Sequence, residues 1–152
     1  MREGVSARRD TEPILLRPTV RVAQLVERSP QSCGILVVED DPAIRRLVRM
    51  VLEREGYVVE SASDGVEAVL KLGLVDYDVI VLDLMMPNLD GFAFIDTLAE
   101  NAPERLKKII VTSAASPALI QSRMEGKPVD ILPKPFDIQD LLQRVRACCA
   151  AD

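Results

Sequence analysis

A chain of 152 residues suits one domain with a sizeable core and leaves no room for a second folded domain. Aromatic content is 3% and Trp is absent, so the core must rest on Val, Leu, Ile, Ala and Met, the usual filling of a parallel sheet covered by helices. The formal charge is -5, but residues 1 to 32 carry six Arg against four acids while the remainder carries 13 basic and 20 acidic groups, a balance that argues against nucleic-acid binding by the folded part.

Residues 1 to 32 contain Pro13, Pro18 and Pro30 with scattered Arg and Ser, and only Val20 to Glu27 has the continuity for a short helix or strand. This arm is expected to be mostly disordered, either a leader without function or a basic docking arm. The folded domain is expected over 33 to 152.

From Gly34 onward the sequence alternates. Ile35-Leu36-Val37-Val38 forms a buried strand that runs into Glu39-Asp40-Asp41, and Pro42 opens a helix with Ile44, Leu47, Val48, Val51 and Leu52 at helical spacing. Gly56 ends that helix. Tyr57 to Ser61 reads as a second strand, and Asp64-Gly65 opens a helix through Val66, Val69, Leu70 and Leu72. A third strand over 78 to 83 ends on Asp83 and passes into the turn Met86-Pro87-Asn88-Leu89-Asp90-Gly91. A helix over Phe92 to Glu100 stops before Pro103. The fourth strand is expected from Lys107 to Thr112, a short helix from Pro117 to Met124, and the fifth strand from Val129 to Leu132, running into Pro133-Lys134-Pro135-Phe136. Ile138, Leu141, Leu142 and Val145 mark a final amphipathic helix.

Five strands alternating with five helices imply an α/β fold, a doubly wound five-stranded parallel sheet with helices on both faces, and flavodoxin-like order 2-1-3-4-5 is its common small form. That order sets the first and third strands side by side, so Asp40 and Asp83 come within reach of each other beyond the strand ends, where such sheets bind their ligands. Thr112 and Lys134 end the fourth and fifth strands at the same edge. The result is acids, a hydroxyl and an ammonium in one cleft.

Crowded carboxylates call for a cation. With no His in the chain, His-containing metal sites and Ser-His-Asp catalysis are excluded, and a metal must be held by oxygen, for which magnesium is the natural choice. Cys33, Cys148 and Cys149 show no metal or redox spacing, and the odd count suits free thiols in a reducing compartment. No apolar stretch approaches the roughly 20 residues of a membrane span and no signal peptide is apparent, so a cytoplasmic location without membrane contact is expected.

The set Val38-Glu39-Asp40-Asp41, Asp83-Leu84-Met85-Met86-Pro87 with Asp90-Gly91, Thr112, and Lys134-Pro135-Phe136 resembles the receiver domain of two-component response regulators, over about Gly34 to Cys149. The resemblance implies that Asp83 is the phosphoacceptor and that Asp40 and Asp83 ligate Mg2+, with Met85 adding its main-chain oxygen and Glu39 acting through water. It further implies that Lys134 pairs with Asp83 at rest and with a phosphoryl oxygen afterwards, that the bond following Lys134 is cis, and that Thr112 is the switch hydroxyl; Ser113 is the alternative. The implied donor is a sensor histidine kinase or histidine phosphotransfer protein, and the output is a protein contact, the chain reading as a stand-alone receiver and not an enzyme.

Two positions depart from the family pattern. Ile131 stands where many members carry a Tyr or Phe that turns inward on activation, and Ala114 to Lys127 lacks the usual small-Gly-small run. The rival functions are a pseudo-receiver that is never phosphorylated, and a magnesium-dependent phosphatase with an Asp nucleophile. The phosphatase would need a second acid where Met85 stands.

Overall fold

The computed structural model describes residues 33–86 and 90–151; the expected arm over 1–32 and the turn residues 87–89 lie outside it. In chain order the elements are β1 (Gly34–Val38), α1 (Pro42–Arg54), β2 (Val58–Ala62), α2 (Gly65–Leu74), β3 (Val79–Asp83) and α3 (Gly91–Asn101). A 3-10 helix (Pro103–Lys108), β4 (Ile109–Ser113), α4 (Pro117–Met124), β5 (Asp130–Pro133) and α5 (Ile138–Ala150) complete it. All neighbouring strands pair in parallel, in the order β2-β1-β3-β4-β5. The expected topology is the observed one, and the strand bounds differ from expectation by a residue or two. The larger change is at Lys107: Pro103 starts a 3-10 turn that runs to Lys108, so Lys107 lies outside β4.

Alternation of side chains along the strands divides the core between the two faces of the sheet. Leu36, Val38, Ile80, Leu82 and Val111 pack against residues of α2, α3 and α4, while Ile35, Val37, Val79, Val81 and Ile110 pack against Val48 and Leu52 of α1 and Leu141, Leu142 and Val145 of α5. Because β1, β3 and β4 are covered on both faces they are buried at every position and apolar up to their polar carboxyl ends, which is why they read as continuous runs. Helix α2 is apolar on its outer side as well. Ala68 and Leu72 face the core, whereas Val66, Val69 and Leu70, which carried the helical reading, are exposed.

Each of the five α-helices starts where a side chain can satisfy an otherwise orphaned backbone N–H. Asp41 accepts from Ala43 and Ile44 at 2.8 and 3.2 Å, and Asp90 accepts from Ala93 at 2.7 Å. Asp64, Ser116 and Asp137 cap α2, α4 and α5 in the same way. The end of α1 is set by Gly56 at φ 93°, a left-handed conformation that glycine adopts without steric cost.

Gly91 has a different reason to be glycine. A Cβ there would lie 2.5 Å from the Leu84 Cα and 2.8 Å from the Asp83 carbonyl oxygen, both backbone atoms at the exit of β3. Its N–H also donates to the Leu84 carbonyl at 2.9 Å. Gly91→Ala is therefore expected to displace the end of β3 and cost about 1–3 kcal/mol, the usual range for overpacking, read as a lower denaturant midpoint. An unchanged midpoint would show that this turn yields freely.

The cysteines correct the sequence reading. Cys33 and Cys149 form a disulfide with Cα atoms 5.8 Å apart, so they are not free thiols. Spacing along the chain gave no sign of it because the partners are 116 residues apart and only the fold brings the start of β1 to the last turn of α5. Among the described residues no helix is long and apolar enough to cross a membrane.

Candidate functional site

The polar strand ends converge as the topology requires. Glu39 follows β1 directly and is held by its N–H donating to the Ala62 carbonyl at 3.1 Å, while Asp83 ends β3 and Thr112 is its register partner on β4. Glu39, Asp83 and Thr112 are buried, with Glu39 at 4% and Asp83 at 5% exposure, and Asp40 is exposed. One carboxylate oxygen from each of Glu39, Asp40 and Asp83 lies within 4.8 Å of the others. The fold thus brings the three acids together.

Lys134 comes to them from the opposite edge, on the strap after β5. Its N–H donates to the Ser113 carbonyl at 2.8 Å, and the bond to Pro135 is cis, as the family resemblance implied. The ammonium lies 3.1 Å from Glu39 Oε2 and 3.5 Å from Asp83 Oδ2, so the expected Asp83 pair exists but the shorter contact is to Glu39. Asp83 Oδ1 accepts from the Met85 N–H at 3.1 Å, which fixes the carboxylate plane; the Met85 side chain is exposed.

Ser113 and Thr112 separate clearly. The Ser113 hydroxyl accepts from the Ala115 N–H at 3.0 Å and so supports the loop after β4. Thr112 lies beside Asp83 in the register, and its own carbonyl accepts from Leu84 at 3.2 Å, tying the exit of β3 to β4.

Arg45 was missed by sequence reasoning. Its guanidinium donates to the carbonyls of Glu39 and Asp40 at 2.8 and 3.3 Å and thereby braces the loop that carries both acids. A signal existed: a basic residue in the opening turn of a helix opposes the helix dipole, so its presence there wants an external acceptor.

Charge in the site is unevenly compensated. Burial, and then the neighbouring charge of Asp83, raise the Glu39 pKa above its ordinary value of 4.5, against the pull of Lys134 and the Asp41 N–H. Burial alone would lower the Lys134 ammonium, but the hydrogen bond to Glu39 and the charges of Asp83 and Glu39 outweigh it and raise its pKa above 10.5. The folded state therefore holds the Glu39 proton more tightly than the unfolded chain does. That contribution to stability is complete below 4.5 and is lost as pH rises through the raised value. Glu39→Gln, which cannot ionise, should gain stability relative to wild type as pH rises from acid to neutral. Paired unfolding curves across that range measure it, and a constant difference would contradict the assignment.

A family profile described as the response regulator receiver domain matches residues 35–146. The DNA-binding dual master transcriptional regulator RpaA of a Synechocystis strain is 40% identical over 116 residues, covering 74% of this chain and 47% of that protein. Among solved structures, the Francisella response regulator 1452 receiver domain aligns with TM-score 0.70 at 32% identity, over 78% of this chain and 97% of that one. The response regulator TrrA of Thermotoga maritima, solved in complex with Mg(2+)-BeF, aligns with TM-score 0.66 at 30% identity, over 76% and 98%. The chain spans about half the length of the curated relatives it matches. With its sheet order, its acid cluster and these matches in agreement, the chain belongs to the response regulator receiver domain family.

Proposed function

We infer that Asp83 is a phosphoacceptor, taking a phosphoryl group from a phosphohistidine on a sensor histidine kinase or histidine phosphotransfer protein, and that the phosphorylated domain signals by contact with a downstream protein. The observation that carries this reading is the grouping of a buried nucleophilic carboxylate, two further acids and one ammonium at the carboxyl edge of the sheet. On this reading the domain works in the cytoplasm and touches neither membrane nor nucleic acid itself.

The donor set fits magnesium. Among the described residues three carboxylates gather about one ammonium, all donors are hard oxygens, and one acid is open to solvent so that waters can complete an octahedral shell. Asp40 and Asp83 would hold the ion directly, Met85 through its main-chain oxygen and Glu39 through water. When bound, the ion neutralises phosphoryl oxygens and holds the group in line with the attacking carboxylate.

The chain's own residues supply the rest. The Met85 N–H orients Asp83, leaving the other carboxylate oxygen turned toward Lys134. As an Asp83 oxygen bonds to phosphorus, the phosphorus–nitrogen bond of the donor breaks and its electron pair returns to the imidazole. The Lys134 ammonium can then pair with a phosphoryl oxygen while keeping its contact to Glu39. The Thr112 hydroxyl, buried beside Asp83, donates to another; that Ser113 is already engaged supports this choice. The group stays on the chain, so the domain is an acceptor and not a turnover enzyme.

Incubation of the full chain with a small acyl phosphate, with and without magnesium, tests the reading. Intact mass should show one added phosphoryl group only when magnesium is present, and peptide mapping should find it on Asp83. Absence of the adduct under saturating donor, or its location on Thr112 or Ser113, would defeat it.

A further inference from the structure

The disulfide joins two sulfurs of unequal access. Cys33 is 8% exposed and fixed at the entrance to β1, where its carbonyl accepts from the Val58 N–H at 3.2 Å. Cys149 lies in the last turn of α5, partly exposed at the margin of the core cluster that holds Val145. Beyond Val145 the helix packs partly on that cluster through Cys148 and Cys149, sets the Cys148 Sγ 3.8 Å from the carbonyls of Asp78 and Lys107, and makes an ion pair from Arg146 to Glu55 at 3.0 Å. The bond is the covalent one among these attachments of the turn.

We propose that Cys149 is a thiol-modification site: a low-molecular-weight disulfide exchanges onto it, and Cys33 resolves the adduct by closing the internal bond. The Cys149 thiolate attacks one sulfur of the small disulfide, forming a mixed disulfide and releasing one small thiolate. Cys33, its proton lost to solvent, then attacks the Cys149 sulfur and expels the second small thiolate. Two protein thiols lose two electrons and two protons in all, and the small disulfide becomes two thiols. Excess small thiol reverses the sequence, again entering at the accessible Cys149. The inference rests on the cytoplasmic reading above, since disulfides in that compartment are usually transient or redox-sensing.

Access sets the order of events. Nucleophile and oxidant must approach in line with the sulfur–sulfur bond, which the partial exposure of Cys149 favours and the burial of Cys33 opposes. Cys148 neighbours Cys149 in sequence but lies outside the bond, with its Sγ 3.8 Å from the carbonyls of Asp78 and Lys107. It is not assigned a part in the exchange.

The test uses the full chain, reduced, freed of reductant and treated with glutathione disulfide, then followed by intact mass and non-reducing peptide mapping. Cys148→Ser should lose two hydrogens and retain no adduct; wild type should form the same bond, with any retained glutathione mapping to the free, partly exposed Cys148. In the Cys148→Ser background, Cys33→Ser should stop at one glutathione on Cys149, and Cys149→Ser should be modified at Cys33 at least about ten-fold more slowly. Closing so long a loop should also raise the melting temperature of oxidised wild type by about 10 °C over the reduced form, a difference that Cys33→Ser abolishes. Equal reactivity of Cys33 and Cys149, a persistent adduct on Cys148→Ser, or identical melting of the two forms would overturn the proposal. Acyl-phosphate uptake by the same reduced sample is scored separately: uptake without internal bond formation sinks only the redox inference, and bond formation without uptake sinks only the phosphoacceptor reading.

Discussion

Asp83→Asn is expected to take up no phosphoryl group from a small acyl phosphate under conditions that fully modify the wild type, while remaining folded. The amide keeps the shape of the side chain, and its oxygen can still accept from the Met85 N–H that holds the wild-type carboxylate at 3.1 Å. What it lacks is the anionic oxygen that attacks phosphorus. The substitution gives up the 3.5 Å pair with Lys134 but also removes a negative charge next to buried Glu39, whose pKa is raised first by burial and then by that charge; Lys134 keeps its shorter contact to Glu39, so the two effects oppose and little net change in stability is expected. Loss of modification together with a nearly unchanged melting temperature would separate chemistry from folding. A phosphoryl group on Asp40 or Thr112 of this variant, at the wild-type level, would show that the acceptor had been misassigned.

The strands and their polar ends were legible because a sheet covered on both faces forces uninterrupted apolar runs, and an acid, a hydroxyl or a lysine at the end of such a run stands out. Order 2-1-3-4-5 followed from the alternation of elements and brought Glu39, Asp40, Asp83, Thr112 and Lys134 to one edge, where the structure has them. Contacts among those residues were less legible. Lys134 approaches Glu39 more closely than Asp83, a difference of 0.4 Å between 3.1 and 3.5 Å that depends on strap geometry and not on residue type. Helix α2 is apolar on two sides, so periodicity located a helix without telling which residues face inward. The Cys33–Cys149 bond depends on the two ends of the domain meeting, which no local pattern encodes.

Lys134→Met should separate two roles of the ammonium, since methionine keeps an unbranched apolar stem and removes the charge. Without it, Glu39, Asp40 and Asp83 crowd together with no cation from this strap. Breaking a fully buried ion pair costs about 3–5 kcal/mol; with 19% of the Lys134 side chain exposed, about 1–3 kcal/mol is expected without divalent cations. The loss should grow from acid to neutral pH. Glu39 already titrates above its ordinary value, and removing the ammonium raises it further, so the stability tied to its proton disappears across that interval. Magnesium should act in the opposite sense on the two measured quantities. It should stabilise Lys134→Met more than wild type, because the acids bind a cation more tightly once the competing ammonium is gone and binding to the folded state adds RT ln(1 + [L]/Kd). Phosphoryl uptake should nevertheless fall by about 10²–10³, the usual effect of removing one preorganised group aimed at developing charge. Denaturant unfolding with and without magnesium, paired with uptake rates at saturating magnesium, distinguishes these effects. A variant that takes up phosphoryl at the wild-type rate, or whose stability responds to magnesium no more than the wild type does, would remove Lys134 from the role assigned to it.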